Sequence, residues 1–170
     1  MLYLKRNIMI KIQILITLII VILSTTINAD NKKLPIPRFV SIKSNEVNAR
    51  SGPTTKSAVE WVFVKKGEPV EITAEYKQWR QVRDINGEGG WIHSSVLSGK
   101  RSVVITSDKE IELTKSADPK SRVIAKLRPK VRCSLKKCKE QFCQITCKDY
   151  TGWISKKVIW GVYDDNDRYY

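Results

Sequence analysis

The 170-residue chain carries 31 lysines and arginines against 17 aspartates and glutamates, a formal charge of +14, with four cysteines and one histidine. That length holds one ordinary domain or two small ones, and the charge favours anionic partners: nucleic acid, anionic lipid or anionic wall polymer. No phosphate-binding loop, nucleophile elbow or histidine metal motif occurs, so the familiar routes to nucleotide, acyl-transfer and zinc chemistry are missing.

Residues 1–29 read as a secretory signal peptide. Lys5, Arg6 and Lys11 precede an apolar run over residues 12–23, and Ser24-Thr25-Thr26-Ile27-Asn28-Ala29 supplies the small and polar residues of a cleavage site. Twelve residues rise only about 18 Å as a helix, short of the ~30 Å hydrocarbon core, which favours cleavage after Ala29 over a retained anchor. Cleavage removes three basic and no acidic residues, leaving 28 against 17, a charge of +11. Export places the mature chain in the periplasm or outside the cell, with no stable membrane insertion after cleavage, and makes nucleic acid the least fitting partner. The charge is uneven: residues 111–160 hold 13 basic and 4 acidic side chains, +9 in 50 positions.

Residues 30–38, with Pro35 and Pro37, form a linker. Short β-rich stretches follow at 39–42, 46–49, 59–64, 69–76, 79–84 and 90–93. Val70, Ile72 and Ala74 alternate with Glu71, Thr73 and Glu75, the period of a half-buried strand. Asn86-Gly87-Glu88-Gly89-Gly90 supplies a hairpin turn through glycine's access to positive φ. No helical period persists over three turns, so the mature chain is expected to be all-β.

The chain then repeats itself. Trp79-Arg80-Gln81-Val82 matches Phe142-Cys143-Gln144-Ile145 at an offset of 63, and Gly90-Trp91-Ile92 matches Gly152-Trp153-Ile154 at 62. Val64, Val70 and Ile72 match Leu127, Cys133 and Leu135, again at 63, and one deleted turn residue accounts for the change. Two units of roughly 60 residues suit two small barrels better than a solenoid.

The first repeat resembles the bacterial SH3-like domain in Val47-Asn48-Ala49-Arg50-Ser51-Gly52-Pro53, in Val62-Phe63-Val64-Lys65-Lys66-Gly67-Glu68-Pro69-Val70, in Trp79-Arg80-Gln81-Val82-Arg83 and in Gly90-Trp91-Ile92. The second is more degenerate: Ala117 stands where that family has Gly, and Pro129-Lys130 replaces the Lys-Gly turn. The resemblance implies two consecutive SH3-like β-barrels of five or six strands, over residues 39–100 and 101–163, with 164–170 as a flexible tail. It also implies wall or envelope association and no catalytic residue. Gly52 is expected to supply backbone freedom for a tight bend, and the glycines before Trp91 and Trp153 to leave room for an indole across the barrel end.

Cys133, Cys138, Cys143 and Cys147 all fall in the second repeat. In an exported chain an even number suggests disulfides, with three connectivities open. If Cys138 and Cys143 flank a hairpin turn, Cys133 comes beside Cys147 and nested bridges follow. Cys133 and Cys138 then face opposite sides of a regular strand while Cys143 and Cys147 share one, so both bridges form only with a bulge. The resemblance favours Cys138–Cys143, because that family often has cysteines at those positions. A four-thiolate zinc site is the rival, but it lacks the short Cys-x2-Cys knuckle.

Nothing calls for a cofactor, and His93 reads as a strand-end surface residue. The expected function is non-enzymatic binding of peptidoglycan or its stem peptides. The alternative is an adaptor that binds envelope enzymes or, once secreted, another cell's proteins. Trp61 and Tyr76 lack aromatic counterparts in the second repeat (Ile124 and Lys139), so they are candidate ligand-binding residues together with Arg50 and Arg80. Trp79, matched by Phe142, is assigned to the core, as is Trp91.

Overall fold

The computed structural model describes Gln13 and residues 34–163. The expected signal peptide and cleavage site, most of the linker, and the 164–170 tail lie outside the described residues, apart from Gln13. Among the described residues no helix is long and apolar enough to cross a membrane. Residues from Pro35 onward form one compact unit, and it is all-β.

Its first half contains β1 (Arg38–Ile42), β2 (Val47–Arg50), β3 (Val59–Phe63), β4 (Pro69–Tyr76), β5 (Trp79–Arg83), β6 (Gly89–His93) and β7 (Leu97–Ser98). The second half repeats the plan with β8 (Ser102–Ile105), β9 (Ile111–Thr114), β10 (Val123–Leu127), β11 (Arg132–Lys139), β12 (Phe142–Cys147), β13 (Tyr150–Ser155) and β14 (Ile159–Trp160). Each half is one seven-stranded sheet, ordered β3-β2-β6-β5-β4-β1-β7 and β10-β9-β13-β12-β11-β8-β14. The resemblance implied five or six strands. The seventh arises because a short 3-10 turn (Ser94–Val96, Lys156–Val158) brings two further residues against the first strand of each module. The pairing is open, with β3 and β7, and likewise β10 and β14, at the edges. Each sheet nevertheless curls around its own core, since Val40, Ala49, Phe63, Ile72, Val82 and Ile92, from six strands, form one buried cluster.

Alternation explains the cores. Along β12, Cys143, Ile145 and Cys147 turn inward while Phe142, Gln144 and Thr146 are half-exposed. The cysteines are bonded in nested pairs, Cys133–Cys147 and Cys138–Cys143, with Cα atoms 4.6 and 4.0 Å apart. The bulge they require lies between Leu135 and Lys137 on β11. All four cysteines are bonded in this way.

Three expectations need correction. Gly52 does not take a positive φ; it gives room to the Ser57 hydroxyl, which a Cβ would meet at 2.9 Å. The Gly-Trp glycines do not make space for an indole. A Cβ on Gly90 would come within 2.7 Å of the Arg50 carbonyl, and one on Gly152 within 2.7 Å of Leu113, Ile124 and the Thr114 carbonyl, so they let β2 and β9 approach closely. Trp79 and Trp91 lie outside the buried cluster, half-buried on the outer face, with Trp79 edge-on to His93 at 5.6 Å.

The modules dock through specific contacts. Ser102 Oγ donates to the Gly67 carbonyl at 2.6 Å, Tyr163 Oη donates to Glu71 at 2.8 Å, and Arg132 Nε pairs with Glu68. Phe39 stacks against Trp160 and Tyr163, with ring centroids 4.9 and 4.7 Å away. Glu71, 4% exposed, also pairs with Arg83 at 2.6 Å, so its buried charge is compensated from both modules.

Candidate functional site

Between the modules lies a cleft of about 420 Å³, within the range of ligand sites. One wall is the β3 edge and the chain beyond it, Trp61 to Lys65, with Glu68 and the 84–86 turn. The other is Val104, Ile105 and Thr106 with Lys130 and Arg132 from the second module.

Local sequence builds each part. Asp84 Oδ1 accepts the amides of Asn86 and Glu88 at 2.8 and 2.9 Å, and Gly87 takes φ +88°, so the turn closes and leaves Ile85 exposed at its tip. Gly67 (φ +80°) donates its amide to the Ile42 carbonyl at 2.8 Å, ending the passage from β3 to β4. Its counterpart at the 63-residue offset is Lys130, which takes φ +60° and donates to the Ile105 carbonyl at 3.1 Å. The Lys-Gly turn lost from the second sequence is thus kept in backbone shape, with a side chain added.

The cleft joins two kinds of chemistry. Trp61, Val62, Val64 and Ile85 are four of the exposed large apolar residues, and all line it. Its charges are Lys65, Lys130, Arg132, Glu68 and Asp84, a balance of +1. Arg132 is engaged by Glu68, whereas Lys65 and Lys130 form no ion pair among the described residues. A larger hollow of about 510 Å³ beside β5 and β6 is lined mostly by polar side chains and glycine backbone. A groove of about 220 Å³ on the second module is lined by Trp153, Phe142 and Pro119. Neither gathers exposed apolar side chains beside unpaired cations.

The structure does not gather the four residues singled out in the sequence. Trp61 lines the cleft; it shares a sheet face with Ala49 and Phe63, yet on an edge strand it stays 38% exposed. The ladders correct the counterpart read from the sequence: Trp61 faces Ala49 as Ala125, not Ile124, faces Leu113. The offset over this strand is therefore 64, and the second module holds a small core residue there. Tyr76, 51% exposed, stands at the far end of β4 and does not line the cleft. Arg80 is held by Glu75 at 2.7 Å and by the carbonyls of Lys77 and Trp79. Arg50 lies on the outer face and donates to the Ser57 carbonyl at 2.8 Å. Val62, Val64, Lys65, Ile85, Lys130 and Arg132 were not anticipated. One signal was readable: residues 61–64 are apolar without a break, so β3 is apolar on both faces.

His93 receives the Ser95 amide and contacts Ser95 Oγ at 2.8 Å, capping the 3-10 turn. Ser155 caps the equivalent turn with its hydroxyl, so the imidazole serves a structural position.

The bacterial SH3 domain model matches residues 43–99 and 107–161. A Bacillus subtilis (strain 168) protein named "Putative N-acetylmuramoyl-L-alanine amidase YrvJ" is 27% identical over 128 residues, covering 69% of this chain and 24% of its own length. The chain therefore spans about a quarter of that relative. Among solved structures, NlpC2 of Trichomonas vaginalis overlaps at TM-score 0.36 and 15% identity, over 79% of this chain and 52% of that one. NlpC1 of the same organism overlaps at 0.34 and 14%, over 80% and 49%. Superpositions this loose carry no weight for function. The family match covers most of the chain on its own, and by it the chain belongs to the bacterial SH3 domain family, of which it holds two consecutive copies.

Proposed function

We propose that this chain is an exported, non-catalytic binding module that holds peptidoglycan through its stem peptides, in the cleft between its two SH3 copies. The observation that carries this reading is the cleft itself: exposed apolar side chains around Trp61, with two lysines on its walls that form no ion pair among the described residues. A relative named as a putative N-acetylmuramoyl-L-alanine amidase agrees with it, the match spanning 69% of this chain and 24% of that protein. Periplasmic or secreted location follows from the same reading.

Retention on purified wall sacculi at physiological salt is the test. Wild-type chain should be retained and Trp61→Ala largely lost to the supernatant; a wild-type chain that stays unbound overturns the proposal. The second reading, an adaptor for envelope or foreign proteins, draws on one feature, the open edge of β3.

A further inference from the structure

We infer that the stem peptide lies along β3 as an added strand, with its carboxylates held by Lys65 and Lys130; this rests on reading the cleft as the ligand site. β3 has one ladder neighbour, β2, so its outer backbone edge is open. Trp61, Val62, Phe63 and Val64 all line the cleft. Successive side chains of a strand point to opposite faces, so four in a row border one cavity only when the cavity runs along the strand's edge. A chain placed there meets main-chain donors and acceptors at strand spacing, the geometry of peptide recognition by strand addition.

The edge is also unguarded. Exposed edges are normally blunted by lysine, proline or inward charges, yet β3 carries Glu60 alone among Val59, Trp61, Val62 and Phe63. An edge this apolar, recessed against a second module, is shaped for one strand rather than for open-ended pairing.

Lys130 adds an independent observation. It occupies the left-handed region where its counterpart is Gly67, and a side chain in that region is disfavoured by contact of its Cβ with the backbone. Lys77, Glu140 and Lys148 take the same region at turns away from the cleft, so the backbone shape alone marks no site; what distinguishes Lys130 is that it sets an ammonium-bearing chain into the wall facing β3. Lys65, leaving the end of β3, supplies a second cation. Two cations beside a strand edge and an apolar floor select an extended peptide with free carboxylates. A peptidoglycan stem peptide carries free carboxylates beside methyl side chains, whereas its glycan backbone offers neither a strand edge nor the same charge density.

The experiment uses the full chain with a synthetic stem tetrapeptide, the same peptide with its carboxylates converted to carboxamides, the peptide-free disaccharide, and an acidic peptide of L-residues. Amide exchange of residues 59–63 should slow at least tenfold with the stem tetrapeptide. Lys130→Gly should weaken binding about three- to tenfold without lowering the melting temperature, because glycine accepts the left-handed backbone. Lys65→Ala and the amidated peptide should lose a similar factor, more at low salt than at high. Binding that leaves β3 exchange unchanged overturns strand addition while leaving the cleft reading intact. Equal affinity of the amidated peptide, or of Lys130→Gly, overturns the role of the lysines. Capture of the peptide-free disaccharide instead overturns the stem peptide as ligand, and tighter binding of the acidic L-peptide with the same β3 protection moves the occupant to a protein partner. Loss of sacculus retention by the wild-type chain refutes the underlying function.

Discussion

Removal of the outer disulfide should cost the second module more than removal of the inner one, and should leave the first module nearly intact. Cys133 and Cys147 are 14 residues apart, so their bond closes a 15-residue loop, and Cys138–Cys143, five apart, closes a loop of six. In the chain-entropy model these bonds contribute about 3 and about 2 kcal/mol. Burial points the same way: Cys133 and Cys147 both belong to the second core, whereas of the inner pair only Cys143 does. A Cys133→Ala/Cys147→Ala variant should therefore lower the second module's transition by about 12–24 °C, and Cys138→Ala/Cys143→Ala by about 8–16 °C, at 4–8 °C per kcal/mol for a small domain. Calorimetry paired with amide exchange assigns each transition to its module. The first module loses only its docking partner, since its core has no sulfur. Equal losses for the two variants, or unfolding of both modules in one step, would refute the loop argument, and four titratable thiols in protein from its native compartment would refute the bridges themselves.

Trp61→Ala should weaken sacculus retention at least tenfold while leaving the melting temperature within a few degrees, whereas Tyr76→Ala, at the far end of β4, should change neither. Tyr163→Phe removes a hydrogen bond to a buried carboxylate and should destabilise docking by about 1.5–3 kcal/mol, seen as faster exchange along β4 without loss of either core. Gly152→Ala, whose Cβ would press on Leu113 and Ile124, should cost about 2–4 kcal/mol, and wild-type mobility in its unfolding curve would show that β9 yields instead. Retention by the lysines should fall as salt rises from about 0.1 to about 0.5 M, through screening over a Debye length of ~10 Å or less; salt-independent retention would leave the apolar floor as the whole of the binding.

What the sequence revealed was whatever recurs or alternates. The 63-residue offset survives as equivalent backbone in the β4–β5 and β11–β12 turns, where Lys77 and Glu140 both take left-handed φ, and becomes 64 over β3 and β10. Residues 69–76 alternate in sequence and are a strand of that span. Its first four residues are nevertheless all buried, Glu71 included, because Tyr163 of the second module and Arg83 close over the face expected to be open. The cysteine spacings demanded a bulge, and it lies where the two bridges need it. The cleft was hidden because it is made by docking, through pairs such as Glu68 and Arg132 that lie 64 positions apart and share no pattern. Arg50 and Arg80 looked available as single letters, but short-range carbonyls and Glu75 hold them. Trp79 and Trp91 repeat because the sheet's outer face repeats, not because the core requires them.

The clasp of Phe39 with Trp160 and Tyr163 joins the first strand of one module to the last segment of the other. The two points where the backbone leaves this paired unit are therefore side by side. Tension applied through the flanking segments would peel the clasp apart ring by ring, while the ladders of β4 with β5 and β11 with β12 carried little load. Forced opening is governed by the rate at which the weakest joint gives way, and the junction is joined by side-chain contacts where each module is joined by backbone ladders. Under load the chain would behave as a mechanical fuse: the wall formed by β8 would swing from β3, and a held ligand would be let go before any strand was lost.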